Sequence, residues 1–375
     1  MAGIYLHIPF CKKACHYCDF HFSTNLKLKS QLINAMLHEI ELQKDYASNE
    51  IIETIYFGGG TPSLLEQEEL FLILNAIAKY HSIIPKAEIT LEVNPDDVQP
   101  NILYQWKQAG INRLSIGIQS FFQEHLLWMN RAHSSLQAFN AILQSQDIGY
   151  ENISIDLIYG FPGLSDEQWH KNLQNAIQLQ VKHISPYCIT VEEKTALNHF
   201  IKKGIVSLPS EEQGARQFQY MSEYLINNKY EHYEISNFAL KGYYSKHNSS
   251  YWKAKKYIGI GPSAHSFNGQ SRQWNIRNNA EYIRRVNSNF QWFEKEELSL
   301  NTRYNEYVMT SLRTQWGCDL HYIRETFGNV YLEYLLKQSQ IFLQSGKIIH
   351  SENKLKLTSE GKILADKIAS DLFRV

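Results

Sequence analysis

Short apolar runs rich in β-branched residues recur along the first half of the chain and predict strands. They lie at 4–8 (IYLHI), 51–57 (IIETIYF), 88–93 (EITLEV), 112–118 (NRLSIGI), 152–158 (NISIDLI) and 183–189 (HISPYCI). Between them, the stretches 28–46, 66–80 and 165–180 repeat apolar residues at helical spacing. Strands that alternate with helices indicate parallel pairing through right-handed crossovers. We therefore expect an α/β fold, a partial (β/α)6 barrel of the TIM type.

The pattern changes after about residue 230, where aromatic residues become frequent and the alternation of strands and helices ends. The last part of the chain shows helical spacing, then a short hairpin and a final helix, which is typical of a winged-helix-like module. We predict three regions: a core domain at 1–235, an aromatic-rich connecting region at 236–290 that contains HNSSYW, and a small C-terminal helical domain at 291–375.

Composition limits the classes of function. The chain has 375 residues, of which 43% are hydrophobic, and 37 basic residues are balanced by 38 acidic ones. This balance gives no broad positive surface for nucleic acid, so we expect no nucleic-acid partner. No apolar run approaches the ~18 residues of a membrane span, and the first strand begins too early for a signal peptide. We expect a cytoplasmic protein without an integral membrane segment.

Three of the five cysteines form a cluster directly after the first predicted strand. Cys11, Cys15 and Cys18 have C-x3-C-x2-C spacing, and clustered cysteines in a reducing compartment more often bind metal than form disulfides. A structural zinc that recruits His16 or His21 is one alternative. A 4Fe-4S cluster fits better, because structural zinc ligands usually come in two separated pairs and only one group is present. Three thiolates then leave one iron with an exchangeable position.

The two other cysteines, Cys188 and Cys318, stand alone in the sequence, and we expect both to be small buried apolar residues.

Several polar or glycine-rich positions follow other predicted strands. The segment GGGTP (58–62) follows the second strand, Glu92 and Gln119 close the third and fourth, and Asp156 lies near the end of the fifth. Each has an ordinary explanation by itself, such as a tight turn or a solvated loop residue. The C-terminal ends of parallel barrel strands converge on one opening, so together these residues predict a binding site beside the cysteine loop.

The segment YLHIPFCKKACHYCDF, with GGGTP one strand later, resembles the signature of radical S-adenosylmethionine (SAM) enzymes. The resemblance implies that SAM binds the open iron of the cluster, and that an electron donor such as a flavodoxin or a ferredoxin reduces the cluster so that SAM can be cleaved. It also implies a set of SAM-contacting residues, with the backbone of Tyr17 and of Thr190 as further candidates: Tyr5, Gly59, Gly60, Thr61, Glu92, Gln119, Arg131 and Asp156.

Further motifs narrow the resemblance. HIPFC, YFGGGTPS, LEVNPDD, LSIGIQSF, NRAH and ISIDLIYGFPG together resemble the oxygen-independent coproporphyrinogen III oxidase group. That group contains radical decarboxylases and haem chaperones. Asp19 and Phe20 follow Cys18 where the oxidases continue to a fourth cysteine, few residues precede the first strand, and HNSSYW resembles a chaperone motif. These features favour a haem chaperone, whose partners would be haem and unidentified haem-accepting proteins. The oxidase is the alternative, a zinc-stabilised scaffold is a third, and the sequence leaves open whether the protein is an enzyme.

His247 in HNSSYW is our candidate haem ligand, because imidazole is a common axial ligand of haem iron. The alternative is an ordinary hydrogen-bonded histidine. His265 in GIGPSAHSF is a second candidate, and its alternative is a buried residue that orders the glycine turn. Aromatic surface for a porphyrin would come from Tyr243, Tyr244, Tyr251 and Trp252.

Overall fold

The computed structural model describes residues 1–47 and 50–375, and in this part of the chain one large sheet of 12 strands dominates the fold. Its strands are β1 Ala2–Ile8, β2 Ile52–Gly59, β3 Ile83–Val93, β4 Arg113–Gln119, β5 Ile153–Tyr159, β6 His183–Cys188, β7 Glu231–Glu234, β8 Asn237–Ala239, β9 Tyr257–Ile260, β10 His265–Phe267, β11 Ser271–Asn275 and β12 Phe293–Glu297.

The order of the strands confirms the predicted α/β fold. β1 to β6 are parallel neighbours in sequence order, as the alternating pattern predicted, and all six expected strands are present within a few residues of their predicted positions. β9 returns parallel to β1 on its other side, and antiparallel strands extend the sheet at both edges. Because parallel strands point the same way, the loops after β1 to β6 gather at one end.

Ten helices accompany this sheet within the described residues: α1 Lys29–Leu42, α2 Gln67–Tyr80, α3 Pro100–Gln108, α4 Gln123–Trp128, α5 Ser135–Asp147, α6 Asp166–Gln178, α7 Ala196–Lys202, α8 Glu211–Asn227, α9 Lys246–Trp252 and α10 Asn279–Asn287. Capping boxes begin α5 at Ser134 and α6 at Ser165, where the serine hydroxyl accepts the backbone N–H three residues later. A search of the described helices finds none with the length and apolar character needed to cross a membrane.

The core lies between the sheet and its helices. Leu32, Met36 and Ile40 on α1 recur at helical spacing, are fully buried, and belong to the same apolar cluster as strand residues such as Ile55 and Ile116. The buried strand residues alternate in character, as in β4, where Leu114, Ile116 and Ile118 alternate with Arg113, Ser115 and Gly117. One face of the parallel strands is therefore apolar and the other carries polar side chains.

A second, smaller unit closes the chain. It consists of α11 Leu300–Leu312, β13 Cys318–Asp319, α12 Leu320–Phe327, α13 Asn329–Gln344, the hairpin β14 Ile348–Ser351 and β15 Lys354–Leu357, then α14 Ser359–Ile363 and α15 Ala365–Asp371. Its three-stranded sheet and its own apolar cluster agree with the winged-helix-like expectation. The backbone joins the two units, because the N–H of Ile235 donates to Arg313 at 3.1 Å and that of Gln315 donates to Tyr233 at 3.0 Å.

The predicted region boundaries at 235 and 290 do not coincide with breaks in the sheet. β7 and β8 form a pair across the first boundary, β9 from the connecting region lies beside β1, and β12 lies beyond the second boundary but pairs with β11. The aromatic-rich region is therefore part of the main sheet. Sequence spacing could not reveal this, because the pairing partners are far apart in the chain.

Candidate functional site

A cavity of about 440 Å³ opens at the C-terminal ends of the parallel strands. Of the residues predicted to bind a cluster or SAM, all but Tyr5 line it: Cys11, Cys15, Tyr17, Cys18, Gly59, Gly60, Thr61, Glu92, Gln119, Arg131 and Asp156. The structure thus brings together three thiols, a glycine loop, two carboxyls and the amide of Gln119 from five strand ends. Thr190, whose backbone was a further candidate, also lines the cavity.

The cysteine loop between β1 and α1 is anchored between its first two thiols, Cys11 and Cys15. Lys12 forms an ion pair with Asp96 at 2.9 Å and a second one with Asp97, both on the turn after β3. The side-chain amide of Asn130 donates to the carbonyl of Ala14 at 2.7 Å. These contacts hold the loop over the cavity, so its thiols face a fixed set of neighbours.

The three thiols lie in a partly buried environment. Burial raises the pKa of Cys18 to about 11 and also raises the pKa of Cys11, although the Thr61 hydroxyl opposes the latter shift. Thiols with raised pKa values stay largely protonated near neutral pH until a metal displaces their protons. In residues 1–47 and 50–375, no group of three or more His, Cys, Asp or Glu is arranged to hold a single metal ion.

The two histidines of the zinc alternative already have other partners. His16 Nδ1 lies 2.8 Å from the carbonyl of Trp128, and His21 Nε2 lies 2.7 Å from the side-chain oxygen of Asn279. Each contact engages only one ring nitrogen, and a histidine that binds a metal through its other nitrogen usually makes such a hydrogen bond. These contacts therefore do not decide between the zinc scaffold and the iron-sulfur cluster.

The loop after β2 requires glycine because its backbone passes too close to neighbouring groups for a side chain to fit. Gly59 has φ +108°, and a Cβ there would lie 2.7 Å from the ring of His7. A Cβ at Gly60 would lie 2.7 Å from the carbonyl oxygen of Phe10. The loop can reach this position beside the cysteine loop only without side chains, and the same property leaves its backbone open to a ligand in the cavity.

Arg131 presents a partly buried positive charge at the cavity wall. Its Nη2 donates to Asn94 at 2.7 Å and to the carbonyl of Gly117 at 2.9 Å, and Nη1 donates to the sulfur of Cys15 at 3.3 Å. The buried Nε has no partner among the described residues. Sequence reasoning did not identify Asn94 and Gly117 as partners of Arg131, although they lie in the motifs LEVNPDD and LSIGIQSF.

Two carboxyls lie at the floor of the cavity. Glu92 accepts hydrogen bonds from the hydroxyl of Tyr56 at 2.8 Å and from the N–H of Gly59 at 3.1 Å. Burial raises the pKa of Glu92 to about 7 and that of Asp156 to about 6, and nearby arginines oppose both shifts. Each carboxyl can therefore change its charge near neutral pH when a ligand or a neighbouring charge changes.

Gln119 lies in a strained backbone segment at the end of β4. Its φ is +62°, and the register between β4 and β5 shifts between Ile116 and Gln119. Bulges and left-handed residues other than glycine are common beside functional sites, where they redirect a side chain. Here the irregularity turns Gly117 and Gln119 toward the cavity.

Tyr5 lies below the cavity wall. A Cβ at Gly58 would lie 2.9 Å from the ring of Tyr5, whose hydroxyl lies 3.2 Å from His7 Nδ1. Tyr5 also stacks on Tyr56, which holds Glu92. Its contacts place Tyr5 under the residues that line the cavity.

His247 lies inside the barrel rather than at the cavity. Its Nδ1 is 2.8 Å from the hydroxyl of Thr54 and its Nε2 is 2.8 Å from that of Tyr251, while its ring stacks on Tyr56 at 4.9 Å. Glu88 on β3 accepts the backbone N–H of His247. Both ring nitrogens are engaged, so this geometry does not support the predicted ligation of haem iron, which needs a free imidazole nitrogen.

The remaining predictions have mixed outcomes. Cys318 is fully buried as expected, but the prediction for Cys188 is wrong, because this thiol is exposed and lines the cavity. His265 is exposed at the start of β10, so the alternative of a buried residue is also wrong. Sequence reasoning missed two exposed aromatic residues of the cavity lining: Phe20 is 66% exposed and Tyr187 is 43% exposed.

Two family models match the chain. The model of the radical SAM superfamily matches residues 5–176, and the HemN C-terminal domain matches residues 298–364. "Heme chaperone HemW" of Bacillus subtilis is 32% identical over 373 residues, which cover 98% of each chain. The protein of the same name from Buchnera aphidicola is 34% identical and aligns with 96% of this chain and 95% of its own length.

Among solved structures, coproporphyrinogen III oxidase (HemN) from Escherichia coli shares the fold. It has a TM-score of 0.86 and 22% identity, and the match covers 99% of this chain and 90% of that one. The chain therefore belongs to the radical SAM superfamily. Within that superfamily, its full-length relatives place it in the HemW family.

Proposed function

We propose that this protein is a cytoplasmic haem chaperone of the HemW type, which binds haem, carries a 4Fe-4S cluster with exchangeable SAM, and transfers haem to acceptor proteins. The observation that carries the cofactor part is the cavity where three thiols, a glycine loop and two carboxyls converge. The haem part rests on relatives similar over the full length that are named heme chaperones.

The residues of the cavity fit a cluster and SAM. Cys11, Cys15 and Cys18 all line the cavity and would each bind a different iron of the cluster. A bound cluster with SAM would supply one-electron chemistry and a carbon radical. The chain's own residues would position the ligand, since Arg131 offers a cation to a carboxylate and Asp156 offers an acceptor to hydroxyl groups.

The mouth of the cavity suits a flat aromatic ligand. Phe20 and Tyr187 are exposed aromatic residues there, and Phe22 lies beside them in the cavity lining. Exposed aromatic side chains cost free energy in water and gain it when a porphyrin face covers them. Phe20 stands where the oxidases resembled by this sequence have a fourth cysteine. We propose this mouth as the haem-binding surface.

Spectroscopy of the cysteine variants tests the cofactor assignment. Cys11→Ala, Cys15→Ala and Cys18→Ala should each abolish the iron-sulfur absorbance of anaerobically reconstituted protein, because three thiolates are the minimum that holds this cluster. Cys318→Ala is the matched control and should retain it, since this thiol is buried in the C-terminal unit. A full cluster in all three loop variants, or zinc without iron uptake, would contradict the assignment.

A two-substrate experiment separates the chaperone from the oxidase. Reconstituted protein receives haem in one arm, and coproporphyrinogen III with SAM and reductant in the other. We expect a Soret shift with haem and no carbon dioxide from coproporphyrinogen III. Phe20→Ser should weaken haem binding several-fold because it removes aromatic contact area. Sustained formation of protoporphyrinogen over several turnovers would contradict the chaperone assignment and support the oxidase.

A further inference from the structure

Beneath the cavity floor, the barrel interior contains a fully buried arginine that none of the family motifs assigned. Arg113 begins β4 and is only 1% exposed. Its Nε and Nη1 have no hydrogen-bond partner within residues 1–47 and 50–375. The neighbouring residue in register on β3, Thr90, also has a buried hydroxyl without a partner. An uncompensated buried cation is costly, so another charge must stabilise it through space.

The two carboxyls of the cavity floor are the available counter-charges. Glu92 pairs in register with Ser115, one inward-facing layer above Arg113, and Asp156 faces the same interior from β5. The positive charge of Arg113 opposes the effect of burial on the pKa of Glu92 and of Asp156. Within the described residues no hydrogen bond joins the guanidinium to either carboxyl, so its charge acts on them through space.

Other titratable groups face this interior, but burial holds most of them neutral. Burial raises the pKa of each tyrosine among them and lowers that of each histidine, to about 3 for His247. Glu88 is occupied by the backbone N–H groups that begin α9. The groups that face Arg113 or the two carboxyls are Tyr5, Cys11, Tyr56, Glu88, Arg131, His183, Tyr187, Tyr233, His247 and Tyr251.

We propose that Arg113 is a positioning residue whose buried guanidinium keeps Glu92 and Asp156 ionised, so that the cavity floor presents negative charge to a cationic ligand. The inference rests on the proposed binding of SAM, whose sulfonium and ammonium groups outweigh its carboxylate. Arg113 lies a layer deeper than the carboxylates and repels such a ligand less than they attract it, because Coulomb energy falls with distance. Arg131 is the cation within reach of the ligand itself.

The pH dependence of SAM affinity tests this role in cluster-reconstituted protein, measured by calorimetry between pH 6 and 9. Affinity should rise with pH as the carboxyls ionise. In Arg113→Met the midpoint of this rise should move up by about one pH unit, which corresponds to roughly fivefold weaker binding at the wild-type midpoint and about tenfold weaker binding well below it. Arg113→Lys should restore the wild-type midpoint, because it restores the charge. Glu39→Gln, a destabilising change outside the cavity, should leave the midpoint unchanged.

A second measurement needs neither cluster nor SAM. In the cluster-free chain, Arg113→Met should lower the melting temperature more at pH 8 than at pH 5, since ionised carboxylates then lack their counter-charge. If Arg113→Met does not fold, Arg113→Gln is measured in its place. Equal losses at both pH values, an unmoved affinity midpoint, or failure of Arg113→Lys to restore it would overturn the inference. If the wild type binds no SAM at any pH, the proposed function fails, while the melting experiment still decides the role of Arg113.

Discussion

At the residue scale, the same side-chain types serve different purposes according to their depth in the barrel. Cys11 and Cys188 both reach the cavity, yet only the first belongs to a spaced cluster, and Cys318 is buried in another unit. His247 shows the same point among histidines. Its motif suggested a ligand, but its ring connects the strand residue Thr54 with Tyr251 at the base of the barrel.

Replacing His247 with Ala should therefore affect stability more than haem binding. The change removes two hydrogen bonds and leaves a cavity under Tyr56, so we expect a loss of about 2–4 kcal/mol in the free energy of unfolding. The haem Soret spectrum should stay as in the wild type. The exposed His321 provides a matched control, since His321→Ala should change neither quantity. A lost Soret shift at unchanged stability would restore His247 as the ligand.

At the scale of elements, the buried carboxyl of Glu39 links α1 to the glycine turn after β9 through hydrogen bonds. Glu39 accepts hydrogen bonds from the N–H of Gly261 at 2.7 Å, from Asn275 at 2.7 Å and from Trp292 at 2.8 Å, and the hydroxyl of Tyr282 also donates to it. Four donors from separate segments meet at this single side chain. The first helix, the glycine turn and α10 therefore depend on one another.

Glu39→Gln should weaken this junction, because the amide N–H₂ faces donors that need an acceptor. We expect a loss of about 1–3 kcal/mol in the free energy of unfolding, measured by denaturant titration. Glu41 is exposed on the same helix, so Glu41→Gln controls for the loss of a charge. Equal small effects of the two substitutions would show that the four hydrogen bonds contribute little.

The same carboxyl predicts a pH dependence of stability. Burial raises the pKa of Glu39 to about 7, above the value of about 4.5 in an unfolded chain, so between these values the folded state binds more protons than the unfolded state. Stability should then fall as pH rises from about 4.5 to 7, by an amount on the order of 3 kcal/mol from this group. Glu39→Gln should flatten this part of the profile. A slope unchanged by the substitution would assign it to other groups.

At the scale of the whole molecule, α9 connects the barrel interior to the C-terminal unit. One end of its HNSSYW segment places His247 under the barrel, while Arg313 of the C-terminal unit lies over the ring of Trp252 at 5.5 Å. The following residue, Lys253, lies 4.1 Å from the ring centre of Trp316. The motif can therefore be explained by the packing of two units against each other.

This coupling predicts that the wild-type chain unfolds in one calorimetric transition. Trp316→Ala should lower the melting temperature of the C-terminal unit and separate the trace into two transitions, because it removes the aromatic surface that contacts Tyr244 and Lys253. Tyr322→Ala removes an exposed aromatic residue of the same unit away from this junction and should leave one transition. Two transitions already in the wild type would show that the units are energetically independent.

The sequence by itself determined the parallel core, the cysteine loop, the glycine loop and the family. These features could be predicted from short contiguous segments, because strand and helix periodicity and ligand spacing are local properties of the chain. The rim residues were also predictable, since parallel strands bring their C-terminal ends to one opening.

Only the tertiary structure decided which isolated residues matter. Glu39 meets donors more than two hundred positions away, Arg113 is compensated from other strands, and β9 joins the sheet beside β1. Cys188, which was expected to be buried, is exposed, and His247, which was expected to bind haem, is buried. Burial depends on which segments pack together, and no local sequence pattern records that.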